Sequence, residues 1–84
     1  MRLPIIKQLV SSGEFDEDYL IEAVDVLLSI AEARGIKDDE LDVIGELVSN
    51  ISGAIEVMND IKGGTPEKEA LNSFMKRVMG SIQS

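Results

Sequence analysis

The sequence contains no cysteine and no histidine, and each absence excludes a class of chemistry. Without cysteine, the chain has no disulfide, no thiolate nucleophile and no thiol ligand for a metal. Without histidine, it lacks the commonest general base and the commonest ligand of transition metals. The sequence therefore predicts a protein that is not an enzyme, has no catalytic residues and binds no metal or other cofactor.

Aromatic residues and prolines are also scarce. The three aromatic residues are Phe15, Tyr19 and Phe74, and both prolines, Pro4 and Pro66, fall where helices are predicted to begin. Strands are rich in aromatic and β-branched residues that alternate with polar ones, and no long stretch of this chain has that alternation. The composition therefore argues against a β-sandwich or a β-barrel.

Basic residues are outnumbered, and no apolar run is long. Sixteen acidic residues against eight basic ones give a net charge of −8, which repels nucleic-acid phosphates and anionic lipids. A membrane span needs about 20 consecutive apolar residues, and the sequence has no such run. The N-terminal MRLPIIKQLV is interrupted by a proline and a lysine, and no cleavage site of a signal peptide follows it. We therefore expect a cytoplasmic protein that binds neither nucleic acid nor membrane.

Nine of the sixteen acidic residues form two groups, at positions 14–18 and 38–46. Neither group has the alternating acids, central glycine and later glutamate of a calcium-binding loop. A di-iron bundle needs Glu-x-x-His pairs, which a chain without histidine cannot supply. Both groups fall at predicted helix starts, where negative charge stabilises the helix dipole. They are therefore interpreted as dipole compensation and not as a metal site.

Glycine-containing breaks divide the chain into one short segment and three longer ones, each with helical periodicity. Acids in the first turns and prolines near the first helical position mark where these helices begin. The predicted helices cover residues 3–10, 16–34, 38–63 and 66 onward. The predicted architecture is a single all-α domain over residues 1–84, a small helical bundle of three main helices plus a short N-terminal helix.

The second predicted helix is apolar over roughly two-thirds of its circumference. Its polar strip contains only Glu22, Asp25, Ser29 and Glu32. A helix with so wide an apolar arc is either central or lies in an interface. A domain of this size buries only about 60–65% of the surface of its unfolded chain, so its own core covers such an arc poorly. The sequence therefore predicts a homo-oligomer, with a dimer as the simplest form.

Residues 41–57, LDVIGELVSNISGAIEV, should form an unbroken helix, yet they contain Gly45 and Gly53. Each glycine in a helix interior costs about 1 kcal/mol relative to alanine. Together with Ser49 and Ser52 they form a helix-packing seam, a series of small residues that lets another backbone approach closely. The seam is predicted to contact either another helix of the same chain or a second copy, and the sequence leaves both open. Because an added methyl group would overpack the contact, we expect alanine at Gly45 or Gly53 to destabilise the fold.

Three blocks of sequence carry a resemblance to a known family. LPIIKQLV near the N-terminus, DELDVIGELVSNISGAIEV in the middle and EALNSFMKRVMGSI near the C-terminus resemble, in that order, domain of unknown function 6952, a family of small Bacteroidetes proteins. The resemblance covers nearly the whole chain. The family has no assigned activity, so the resemblance implies no role for any particular residue. Because its genes often lie beside those of thioredoxin-like proteins and peroxiredoxins, the resemblance implies a link to thiol redox metabolism.

We therefore expect a small acidic interaction or adaptor protein that self-associates and catalyses no reaction. The alternative is a non-catalytic regulatory partner of a thioredoxin- or peroxiredoxin-type redox system. A chain without cysteine could serve there only as a binding partner, because it has no thiol to exchange.

Overall fold

Four helices make up the structure, a computed structural model that describes the backbone of residues 2–83 and the side chains of residues 2–78. They are α1 (Leu3–Ser11), α2 (Glu17–Ala31), α3 (Asp38–Lys62) and α4 (Glu67–Gln83). Residues 2–83 contain no strand. The predicted all-α fold, three main helices plus a short N-terminal helix, is confirmed.

Local hydrogen bonds explain where α2 and α3 begin. Oδ1 of Asp16 accepts the backbone N–H of Tyr19 across 2.8 Å, which satisfies one of the free N–H groups in the first turn of α2. At the start of α3, a carboxylate oxygen of Glu40 accepts the N–H of Lys37 across 3.0 Å. Acidic residues occupy the first turn of both helices, where the positive end of the helix dipole favours them.

The helix boundaries agree with the predicted ones to within one residue, except at the end of α2. The second helix ends at Ala31, three residues before the predicted Arg34, because the N–H groups of Glu32 and Ala33 bond to carbonyls three residues earlier. Such bonds belong to a 3₁₀ turn, which tightens the chain and ends the α-helical pattern. The fourth helix begins at Glu67, one residue later than predicted.

The turn between α3 and α4 requires a glycine. Gly64 has a backbone φ of +109°, which residues with a Cβ atom rarely adopt. Its N–H bonds to the carbonyl of Ile61, and the N–H of Thr65 bonds to the carbonyl of Asp60. This pair of bonds is a Schellman motif, which satisfies the last carbonyls of α3 and reverses the chain into α4.

Helix α3 is the centre of the structure. Its C-terminal half packs against α1 and α4, whereas α2 runs antiparallel to it and, within residues 2–83, approaches the backbone of no other helix. The core lies around the C-terminal half of α3 and consists of Ile6, Leu20, Ala54, Val57, Ala70, Leu71 and Phe74. The wide apolar arc of α2 is therefore not central, since α2 lies at the edge of the molecule.

The molecule is flat and exposes more surface than a compact domain. Its extents are 43 × 33 × 17 Å, so the shortest one is about half of the next. The radius of gyration is 13.9 Å, against about 12 Å for a compact chain of this length. The accessible surface is 5943 Å², against about 4,900 Å² for a compact monomer of 9.2 kDa. The chain thus exposes about 1,000 Å² more surface than a compact monomer of the same mass.

Candidate interaction surface

Gly53 is buried where α1 and α4 meet α3. A Cβ atom built on Gly53 would stand 2.9 Å from Cδ1 of Ile6 and 2.9 Å from Cζ of Phe74. Both distances are shorter than ordinary carbon contacts of about 3.5–4.0 Å, and both neighbours are fully or almost fully buried. Glycine at this position therefore allows α1 and α4 of the same chain to pack closely on α3.

The other residues of the predicted seam lie elsewhere. Gly45 is exposed, and a Cβ atom added there would meet nothing within 4 Å. Ser49 is half-buried and Ser52 is exposed. Eight residues of α-helix amount to about 80° more than two full turns, so Gly45 points away from the side on which Gly53 meets α1 and α4.

The four small residues therefore do not form one continuous contact within the chain. Within the chain, the expected overpacking applies to Gly53 and not to Gly45, because the space at Gly45 is open. A contact of Gly45 or Ser52 with a second copy stays a prediction.

Asn50 is a buried polar residue whose role was not predicted from the sequence. Its Oδ1 accepts the backbone N–H of Arg2 across 2.8 Å, and its Nδ2 donates to the carbonyl of Glu46 across 2.9 Å. The first bond fixes the start of α1 on α3. Asn50 lies four and seven residues before Ala54 and Val57, on a buried face, and an amide in an apolar stripe is the signal that could have identified it.

Large apolar side chains are exposed along α2 and on the N-terminal part of α3. Among residues 2–78, eight such side chains are exposed, all on α2 and on the N-terminal part of α3: Tyr19, Ile21, Val26, Leu28, Ile30, Leu41, Val43 and Leu47. The six residues from Val26 onward lie away from the core, where neither α1 nor α4 covers the pair of helices, whereas Tyr19 and Ile21 flank the buried Leu20 at the core end of α2. The exposed apolar surface therefore belongs to the α2–α3 hairpin.

Four of these residues form a patch on one side of the hairpin. Val26 and Ile30 are four residues apart on α2, and Val43 and Leu47 are four residues apart on α3, so each pair shares a face. Ile30 and Val43 line one open groove, which also includes Ile36 and Ile44 and, at its edge, the acidic residues Asp39 and Glu40. We call Val26, Ile30, Val43 and Leu47 the α2–α3 patch.

Helix α1 bounds this patch. Val43 lies seven residues before Asn50, and Leu47 lies seven residues before Ala54. Residues seven apart in an α-helix point in nearly the same direction, so all four lie on one face of α3. Further along this face lies α1, whose start is held at Asn50 by the N–H of Arg2. The sequence contained a signal for the patch, because the apolar face of α3 extends about two turns beyond what the nine residues of α1 reach.

The acidic groups do not converge on a metal site in the part of the chain that the structure describes. Within residues 2–78, no three carboxylates lie close enough together to hold a metal ion. Among the helices of residues 2–83, none combines the length and the apolar character needed to cross a bilayer.

Comparison with protein families assigns the chain to a family. The model of DUF6952, described as a family of unknown function, matches residues 1–83. The chain belongs to this family. No curated protein matches the DUF6952 chain, and no solved structure matches it. Because DUF6952 has no assigned function, a function for this member has to be inferred from its own surface.

Proposed function

We propose that this DUF6952 protein is a small acidic interaction or adaptor module that self-associates and catalyses no reaction. The observation that carries the proposal is the group of exposed apolar side chains on the α2–α3 hairpin. Scattered exposed apolar residues are normal, but a contiguous patch on a small protein is typical of an interaction site. The proposal also places the protein in the cytoplasm, on the basis of its composition.

The shape of the molecule also supports an interaction role. Stable domains bury the apolar side of each helix against a second layer, and within residues 2–83 the N-terminal half of α3 is covered by no helix except α2. The surface excess of about 1,000 Å² is of the size that each partner buries in a standard interface, about 800 Å². A partner would therefore complete the layering that the single chain lacks.

Light scattering coupled to size-exclusion chromatography tests self-association. We expect a particle of at least twice 9.2 kDa at near-millimolar concentration, with dissociation on dilution to micromolar concentration. A folded particle of 9.2 kDa over this whole range would contradict self-association.

The redox-partner alternative predicts a specific protein contact. Purified thioredoxin-like proteins and peroxiredoxins from the same organism would be retained by the immobilised chain, and reduction would not release them because the chain has no cysteine. Absence of retention at micromolar concentration would remove this alternative and leave the self-associating module.

A further inference from the structure

We infer that the α2–α3 patch is the surface through which two copies of this chain pair, patch to patch, about a two-fold axis. The inference rests on the proposed function and adds which surface is used and what covers it. In such an isologous contact, the same residues of both copies meet. The two hairpins would then form a second helical layer over each other.

The first support is that the patch is one surface built from two helices. Val26 and Val43 are 59% and 56% exposed, and Ile30 and Leu47 are 45% and 44% exposed. They lie on one side of the hairpin, and α1 closes the patch at one end. Two identical patches of this kind can bury each other, because both present exposed apolar side chains and both are bounded by α1 at the same end.

The second support is the area. The chain exposes about 1,000 Å² more than a compact monomer of its mass, and a standard interface removes about 800 Å² from each partner. If two flat molecules pair through one face of each, the surface that each copy buries is therefore approximately equal to its excess accessible surface. A short peptide would cover less of the hairpin and would leave the rest of the excess exposed.

The third support is that the N-terminal half of α3 is covered only by α2 within residues 2–83. Helical domains are normally built from two packed layers, and stacking one copy on another supplies the missing layer. The occupant that fits this geometry is a helical surface of the same extent as the hairpin. The second copy provides such a surface without any other protein.

Four substitutions to glutamate test the inference. Val43→Glu and Val26→Glu each place a charge in the patch, one on each helix. Leu28→Glu and Ile21→Glu are the controls, since these residues lie on roughly the opposite flank of α2 and are similarly exposed, at 49% and 46%. Sedimentation equilibrium measures the dimer dissociation constant, and circular dichroism measures the helix content of each variant.

The expected result is a dimeric wild type, dissociation constants raised at least about tenfold for the two patch variants, and little change for the controls. Because of the two-fold symmetry, each substitution places two negative charges in the same interface. Their mutual repulsion increases the effect on the dissociation constant. Because each copy carries a charge of −8, added salt is expected to tighten the wild-type dimer.

Each contrary result has a different meaning. A dimer that persists in both patch variants but is lost in Leu28→Glu or Ile21→Glu would overturn the patch and leave self-association intact. If added salt instead raised the dissociation constant of the dimer, ion pairs and not apolar contacts would hold the two copies together, and the inference would be wrong. A wild type that is monomeric at all concentrations would overturn both this inference and the proposed self-association. If one patch variant loses its helix content, the other patch variant decides.

Discussion

Gly53 lies against the ring of Phe74 so closely that an added Cβ atom would stand 2.9 Å from Cζ and 3.3 Å from Cε2. On the other side, Cδ1 of Ile6 would be 2.9 Å away. Two buried side chains from two different helices thus confine one backbone position of α3. The glycine is required by packing inside the chain, although it weakens the helix that contains it.

Gly53→Ala is therefore expected to destabilise the fold. Overpacking of a core costs about 1–3 kcal/mol and the gain in helix propensity offsets about 1 kcal/mol of it, so a net loss of up to about 2 kcal/mol is expected. Urea denaturation measures the free energy of unfolding. The loss should be equal at low and high protein concentration, because both neighbours belong to the same chain. A variant more stable than the wild type would show that Ile6 and Phe74 move aside at little cost.

Gly45→Ala is expected to have the opposite sign. An added methyl group there meets open space, so only helix propensity acts, and the fold gains about 0.5–1 kcal/mol. This variant is the matched control for Gly53→Ala, with the same change in the same helix. A destabilisation that appears only at concentrations where the protein is dimeric would instead place Gly45 in the contact between copies.

Asn50→Ala is expected to cost about 1–3 kcal/mol, because it removes a buried hydrogen-bonding group and leaves the N–H of Arg2 without its partner. Asn59→Ala on the same helix is the control, since Asn59 is exposed and the change should lie within about 0.5 kcal/mol. Thermal unfolding of both variants compares the two positions. Equal effects at positions 50 and 59 would mean that the bond between Asn50 and Arg2 contributes nothing to stability.

Asp16→Ala is expected to cost about 1 kcal/mol, because Oδ1 of Asp16 accepts the N–H of Tyr19 at the start of α2. Asp16→Asn should retain most of this stability, since an amide oxygen also caps a helix. Asp18→Ala, which removes a charge but no capping bond, should cost only a few tenths of a kcal/mol at low salt. If Asp16→Ala and Asp18→Ala were equally destabilised and salt removed both effects, charge and not capping would be the cause.

The helix starts could be predicted from the sequence because the interactions that define them are local. Asp16 reaches an N–H group only three residues away, and Pro66 stands directly before the first residue of α4. The end of α2 was predicted three residues too late, because the 3₁₀ turn beginning at Glu32 depends on how the chain turns toward α3.

The surroundings of the small residues could not be predicted from spacing alone. Gly45 and Gly53 have the same spacing as residues of a close helix contact, but only Gly53 has helices beside it. Which positions of α3 are covered depends on the length and placement of α1 and α4, a tertiary property. Asn50 escaped prediction for the same reason, since its partner is Arg2, 48 residues away in the chain.

The central position of α3 also determines how the molecule opens. The C-terminal half of α3 lies in the core with α1 and α4, whereas its N-terminal half is covered only by α2 within residues 2–83. Local opening requires the loss of few buried apolar contacts at the hairpin end and many at the core end. Amide hydrogens near Val26 and Val43 should therefore exchange with solvent before those near Val57. A partner on the α2–α3 patch would slow this exchange, and the unbroken helix would carry the added protection toward Asn50.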